Sequence, residues 1–151
     1  MTKVFEDYFS DLQADMVSIC LEYVYNKADN IYIYCSCENK TITCAYFYRI
    51  NGRIVSRSKL NDAIKKDQKP YDISIARQKT VIRIINEDIQ KIMEICMQFE
   101  RPMPTELKLI YDVKNNRLNA NYRYDLIYTN DPVKTADDIA EEWFEEIKSQ
   151  S

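Results

Sequence analysis

Cys35 and Cys37 are the closest-spaced nucleophiles in the chain, and three more thiols, Cys20, Cys44 and Cys96, accompany them. On a β-strand alternate residues share a face, so Cys35 and Cys37 would stand side by side and could support redox chemistry. Nucleophilic catalysis by either thiol needs a neighbouring base to form the thiolate. The sequence holds no histidine, the side chain that most often moves protons near neutral pH. The cysteine spacings match no zinc pattern, which takes CxxC-like pairs or histidine ligands. With one glycine in the chain, a glycine-rich phosphate cradle has nothing to be built from. The cysteines read best as small core residues of a reducing compartment. No catalytic residue, no metal and no cofactor are expected, and action through a surface is.

Two residue classes could make such a surface. The first is carboxylate: Asp125, Asp131, Asp137, Asp138, Glu141, Glu142, Glu145 and Glu146 crowd the last third of the chain, against Lys134 and Lys148. The second is tyrosine, present 12 times, which offers a large contact area at small entropic cost and is common at binding hot spots. Tyr32, Tyr34, Tyr46, Tyr48, Tyr122 and Tyr124 fall on expected strands, where a core role with the hydroxyl reaching the surface competes with an interface role.

The net charge of −3 conceals an uneven layout. Residues 1–48 carry 3 basic and 7 acidic side chains, residues 49–101 carry 12 and 7, and residues 102–151 carry 6 and 10. An acidic end beside a basic middle suits a charged protein partner better than a nucleic acid, which favours one continuous basic face. The basic stretch 57–83, with Lys59, Lys65, Lys66 and Lys69, supports the alternative of a small adaptor or nucleic-acid binder. It lacks interleaved aromatics apart from Tyr71.

The elements that must carry these residues follow from periodicity. Phe5, Phe9, Leu12, Met16, Ile19, Cys20 and Tyr23 recur at helical spacing, predicting a helix over 3–25. Stretches 31–37 and 41–50 are rich in β-branched and aromatic residues and are joined by the polar turn Glu38-Asn39-Lys40. Asn51-Gly52 is a strong hairpin signal and places a third strand at 53–57. Residues 58–71 read as a long loop with room for a short helical piece. Ile82, Ile85, Ile89, Ile92, Cys96 and Phe99 then predict a helix over 75–99, ended by Pro102 and Pro104. Alternation over 105–113 and 117–124 gives a second hairpin, with Asn115-Asn116 suited to a tight turn of positive φ. Thr135 and Asp138 form a capping-box pattern ahead of a last helix that buries Ile139, Ala140, Trp143, Phe144 and Ile147.

The order α-β-β-β-α-β-β-α predicts an α+β fold, an antiparallel sheet of about five strands flanked by three helices, in one domain over 1–151. No apolar stretch approaches the roughly 20 residues that cross a bilayer. Met1-Thr2-Lys3-Val4-Phe5-Glu6-Asp7 has acids where a secretory signal carries its apolar core, so a cytoplasmic protein without an export signal is expected.

Pro104-Thr105-Glu106-Leu107-Lys108-Leu109-Ile110-Tyr111-Asp112-Val113, Asn121-Tyr122-Arg123-Tyr124-Asp125, and Thr135-Ala136-Asp137-Asp138-Ile139 with Trp143-Phe144 resemble the YezG-type immunity protein family. Ile31-Tyr32-Ile33-Tyr34 and Tyr46-Phe47-Tyr48 fit the same pattern, so the likeness covers most of the chain. The sequence departs from that pattern at Met103, which follows Pro102 where relatives carry a tryptophan. The resemblance implies a small cytoplasmic bacterial protein that binds and neutralises a secreted or contact-delivered toxin, often a nuclease, by blocking its active site. A nuclease presents a basic cleft for phosphates, and an inhibitor can offer carboxylates in their place. The expected partner-binding residues are Tyr122, Tyr124, Asp125, Tyr128 and Asp131 around the late hairpin, with Asp137, Asp138, Glu141, Glu142 and Glu145 on the last helix.

Overall fold

The computed structural model describes residues 3–131 and 133–151. Met1 and Thr2, which open the segment read for an export signal, lie outside the described residues.

Each helix starts and stops where local chemistry requires. In α1, Phe5–Tyr23, the Asp7 carboxylate accepts the Val4 amide N–H at 3.2 Å. Its C-terminal end is closed by Tyr25 and Asn26 in the left-handed region, with the Asn26 amide returning to the Leu21 carbonyl at 2.9 Å. The expected span of 3–25 was thus longer than the helix that forms. In α2, Ile75–Gln98, Ser74 is the N-cap and its hydroxyl accepts from the Arg77 amide. Glu100, at φ 55°, turns the chain out of α2 before the prolines are reached, and the Arg101 amide bonds the Cys96 carbonyl at 2.8 Å. The last helix, α3, spans Ala136–Ser149.

Five strands pair throughout in the antiparallel sense: β1, Asn30–Glu38; β2, Thr41–Ile50; β3, Arg53–Ser56; β4, Glu106–Asp112; and β5, Arg117–Arg123. Their order across the sheet is β3-β2-β1-β4-β5, so β1 is central and β3 and β5 are the edges. Asn39 and Lys40, at φ 51° and 64°, make a two-residue turn between β1 and β2, and Asn51 and Gly52, at 50° and 78°, repeat it between β2 and β3. Both match the mirror-image turn whose twist suits a hairpin. The β4–β5 connection differs from expectation. Only Asn116 adopts positive φ, and residues 113–116 form a wider loop in which Asp112 accepts both the backbone and side-chain N–H of Asn115.

The expected α+β architecture and element order are present, and the short helical piece allowed for within 58–71 is a 3-10 turn at Leu60–Asp62. Leu60 and Ala63 are buried, which ties the long connection to the core. The basic stretch 57–83 is not one loop, because its residues from Ile75 onward are helix.

Strand register sorts side chains onto two faces. Ile31, Ile33, Cys35, Tyr46, Tyr48, Val55, Leu107 and Leu109 point to one face and pack against Met16, Cys20 and Tyr23 of α1 and Ile85, Ile89 and Ile92 of α2. Tyr32, Tyr34, Phe47 and Ile54 point to the other, where α3 covers them with Trp143. The sheet is therefore sandwiched, two helices on one side and one on the other.

Candidate functional site

Helix α3 presents most of the expected carboxylates, and two features orient it. Thr135 and Asp138 form the predicted capping box: the Thr135 hydroxyl accepts the Asp138 amide N–H at 3.3 Å and the Asp138 carboxylate accepts the Thr135 amide at 2.9 Å. Trp143 then locks the rotation of the helix. It is 4 % exposed and meets Phe47 and Tyr32 edge-on, with ring centroids 5.3 and 6.0 Å apart. With Ile139, Ala140, Phe144 and Ile147 on the sheet, the 100° step per residue turns Asp138, Glu142 and Glu145 outward. Asp137, Glu141 and Lys148 lie on the flank toward β3, where they line an open groove of about 940 Å³ with Arg53, Arg57 and Lys59.

Glu142 pairs with one cation, and Asp138 of the same helix and Asp131 ahead of it add their charge there. Lys134 Nζ meets Glu142 Oε1 at 2.6 Å, and this bond, with the charges of Asp131 and Asp138, raises the Lys134 ammonium above its ordinary range. Asp131 Oδ1 accepts the amide N–H groups of Val133 and Lys134 at 2.9 and 3.0 Å, which lowers its carboxyl. Exposed ion pairs of this kind add little stability. They do arrange charge: three carboxylates against one ammonium leave this end of α3 net negative, and Glu145 extends the field along the helix.

The residues named on the late hairpin do not form one patch. Tyr122 points to the α1 face, half-buried against Phe9 with ring centroids 5.2 Å apart, and its hydroxyl donates to Gln13 Oε1 at 2.9 Å. That places it on the sheet face opposite α3. Tyr124 lies just past β5 with 55 % of its surface exposed. Asp125 binds Arg123 through two contacts, at 2.7 and 3.2 Å, and the guanidinium holds its carboxyl low. Leu126 is exposed beside them, whereas Tyr128 is half-buried and its amide bonds the Glu38 carboxylate. The solvent-facing members are therefore Tyr124, Asp125 and Asp131, with Asp137, Asp138, Glu141, Glu142 and Glu145 on α3.

Several polar residues beneath this surface were not singled out from the sequence. Glu38 and Glu106 are each 2 % exposed, on the face that α3 covers. Glu106 Oε2 accepts the Tyr34 hydroxyl at 3.0 Å, and Lys108 Nζ lies 3.8 Å from Glu106 Oε1 and 5.5 Å from the Trp143 ring centre. Burial, then the Glu106 charge, push the Tyr34 hydroxyl far above its ordinary range. The available signal was strand alternation: Tyr34, Ser36 and Glu38 share the parity that faces α3.

The basic stretch uses much of its charge internally. The Arg77 guanidinium stacks over Tyr23 and Tyr25 and donates to backbone carbonyls of Tyr23 and Asp72. Arg57 lies over Tyr46, and Arg83 pairs with Glu87. Lys59, Lys65, Lys66 and Lys69 are exposed.

Among the cysteines, burial pushes the thiols of Cys20, Cys37 and Cys96 up, and Cys35 is raised likewise beside Cys44, which disfavours a standing thiolate at each. Among the described residues no three Cys, Asp or Glu side chains are grouped so as to hold a metal ion. No described helix is long and apolar enough to cross a membrane. Comparison of the chain with protein-family models and with curated proteins finds no match.

Proposed function

We propose that this protein is a toxin-neutralising inhibitor of the YezG immunity type, acting in the cytoplasm by tight one-to-one binding to a basic toxin domain, a nuclease. The observation that carries this reading is the outward carboxylate face of α3, held in one orientation by Trp143 and paired through Glu142 with Lys134. A nuclease cleft concentrates positive charge to hold phosphates, and a rigid array of carboxylates competes for that field while excluding substrate. Electrostatic steering also speeds the encounter, which matters for an inhibitor that must act before damage is done. Tyr124 and Leu126, exposed on the segment leading to α3, supply apolar area beside the charge. The resemblance at 103–147 points the same way.

The test is co-expression with a basic nuclease toxin domain, the product of the neighbouring gene being the first candidate. A stable one-to-one complex on size exclusion, together with rescue of growth, is the expected result. A soluble, folded inhibitor that neither copurifies nor rescues would refute the reading.

A further inference from the structure

We propose that Cys35 and Cys44 are a redox-active pair, converted by a low-molecular-weight disulfide into a cross-strand bond between β1 and β2. The sequence draws attention to Cys35 and Cys37, but these lie two positions apart on one strand. At about 3.3 Å per residue their Cα atoms are about 7 Å apart with side chains parallel, at the limit of what a disulfide spans. The register instead sets Cys35 directly opposite Cys44.

The kind of pairing matters. Glu38 and Thr41 flank the two-residue Asn39-Lys40 turn and so exchange both backbone hydrogen bonds. Bonded and non-bonded pairs alternate from there, which makes Cys35 and Cys44 a non-hydrogen-bonded pair. In such pairs the Cα atoms approach to about 4.5 Å, the closest cross-strand spacing and within disulfide range. Both thiols are free, and the register leaves them as direct cross-strand neighbours. Cys37 is otherwise engaged, its Sγ 3.7 Å from Met93 Sδ.

Exposure assigns the order of events. Cys35 is fully buried and Cys44 only half-buried, so Cys44 meets the oxidant. Its thiolate attacks one sulfur of RSSR and expels RS⁻, leaving a Cys44–S–S–R adduct. Cys35 then attacks Cys44 Sγ, its proton passing to the second departing RS⁻. Two protein thiols are oxidised and one small disulfide is reduced to two RSH.

The test is incubation of the folded protein with oxidised glutathione, then alkylation in denaturant, trypsin digestion and mass spectrometry. Cleavage after Lys40 separates peptide 28–40, with Cys35 and Cys37, from peptide 41–49, with Cys44. The expected result is a link between these peptides and the loss of two alkylatable thiols out of five, retained in Cys37→Ser and lost in Cys35→Ser. Because Cys37→Ser leaves the pair intact, a folding failure of the other variant does not blunt the test. Five alkylatable thiols, a bond confined within peptide 28–40, or a glutathione adduct persisting on Cys44 would each overturn the proposal.

Discussion

Glu38, the last residue of β1, accepts the hydroxyl of Thr129 at 2.6 Å, across 91 positions of sequence. The same carboxylate accepts the backbone N–H groups of Ile127, Tyr128 and Thr129 at 3.0 to 3.3 Å. One buried acid therefore fastens the connection between β5 and α3 to the central strand. We predict that Glu38→Ala costs about 1–3 kcal/mol, the usual effect of stranding buried polar groups. Glu38→Gln, which keeps an acceptor oxygen, should lose less. Faster hydrogen exchange at the 127–129 amides, with β1 unchanged, is the expected signature. Uniform exchange across the sheet would show that Glu38 does not act locally.

Asp88 of α2 faces Asp15 of α1 with 2 % of its surface exposed, and its Oδ2 has no hydrogen-bond partner among the described residues. Burial, then the neighbouring Asp15 carboxylate, push the Asp88 carboxyl up to about 8. An unfolded aspartate titrates near about 3.9. Between those values the folded state holds a proton that the unfolded chain has released. This group's contribution to stability is thus fully present below about pH 4 and is lost as pH rises through about 8. Asp88→Asn should flatten that slope. Urea midpoints measured at about pH 5 and pH 9 would then converge relative to wild type, and an unchanged gap would exclude Asp88 as the source.

Trp143 is the sole tryptophan and the anchor of α3. Replacing it with alanine removes the ring packed on Tyr32 and Phe47 and should cost about 3–5 kcal/mol. Because α1 and α2 pack on the opposite face, far-UV circular dichroism should retain most helical signal while α3 amides lose exchange protection. In the wild type, Trp143 fluorescence reports the undocking of α3 directly. Full protection of α3 in Trp143→Ala would contradict the anchoring role.

Reversing Glu141, Glu142 and Glu145 to lysine should slow association with a basic toxin domain about tenfold or more at low salt and weaken the salt dependence of the on-rate. An on-rate with the wild-type salt slope would mean that α3 does not steer the encounter.

Tyr124→Ala with Asp125→Ala should raise the dissociation rate by a loss of about 2 kcal/mol or more, as for paired interface anchors. Thermal stability should hardly move, because both side chains are exposed. Wild-type affinity in this double variant would remove the hairpin end from the interface.

Local chemistry set much of this protein without reference to its fold. The periods of α1, α2 and α3, the Asn51-Gly52 turn and the Thr135–Asp138 cap are short-range properties, and each falls where the sequence places it apart from the shorter span of α1. The acids of α3 were legible for the same reason, since helical spacing alone turns them away from Trp143. Only the assembled sheet decided what lies beneath. Alternation gives Tyr122 a side of β5, but not which helices cover that side, so a tyrosine read as partner-facing packs instead on Phe9 and Gln13. Glu38, Glu106 and Asp88 become buried through contacts with segments distant in sequence. The meeting of Cys35 with Cys44 depends on a register set by the Asn39-Lys40 turn, because a shift of one residue would send the two thiols to opposite faces.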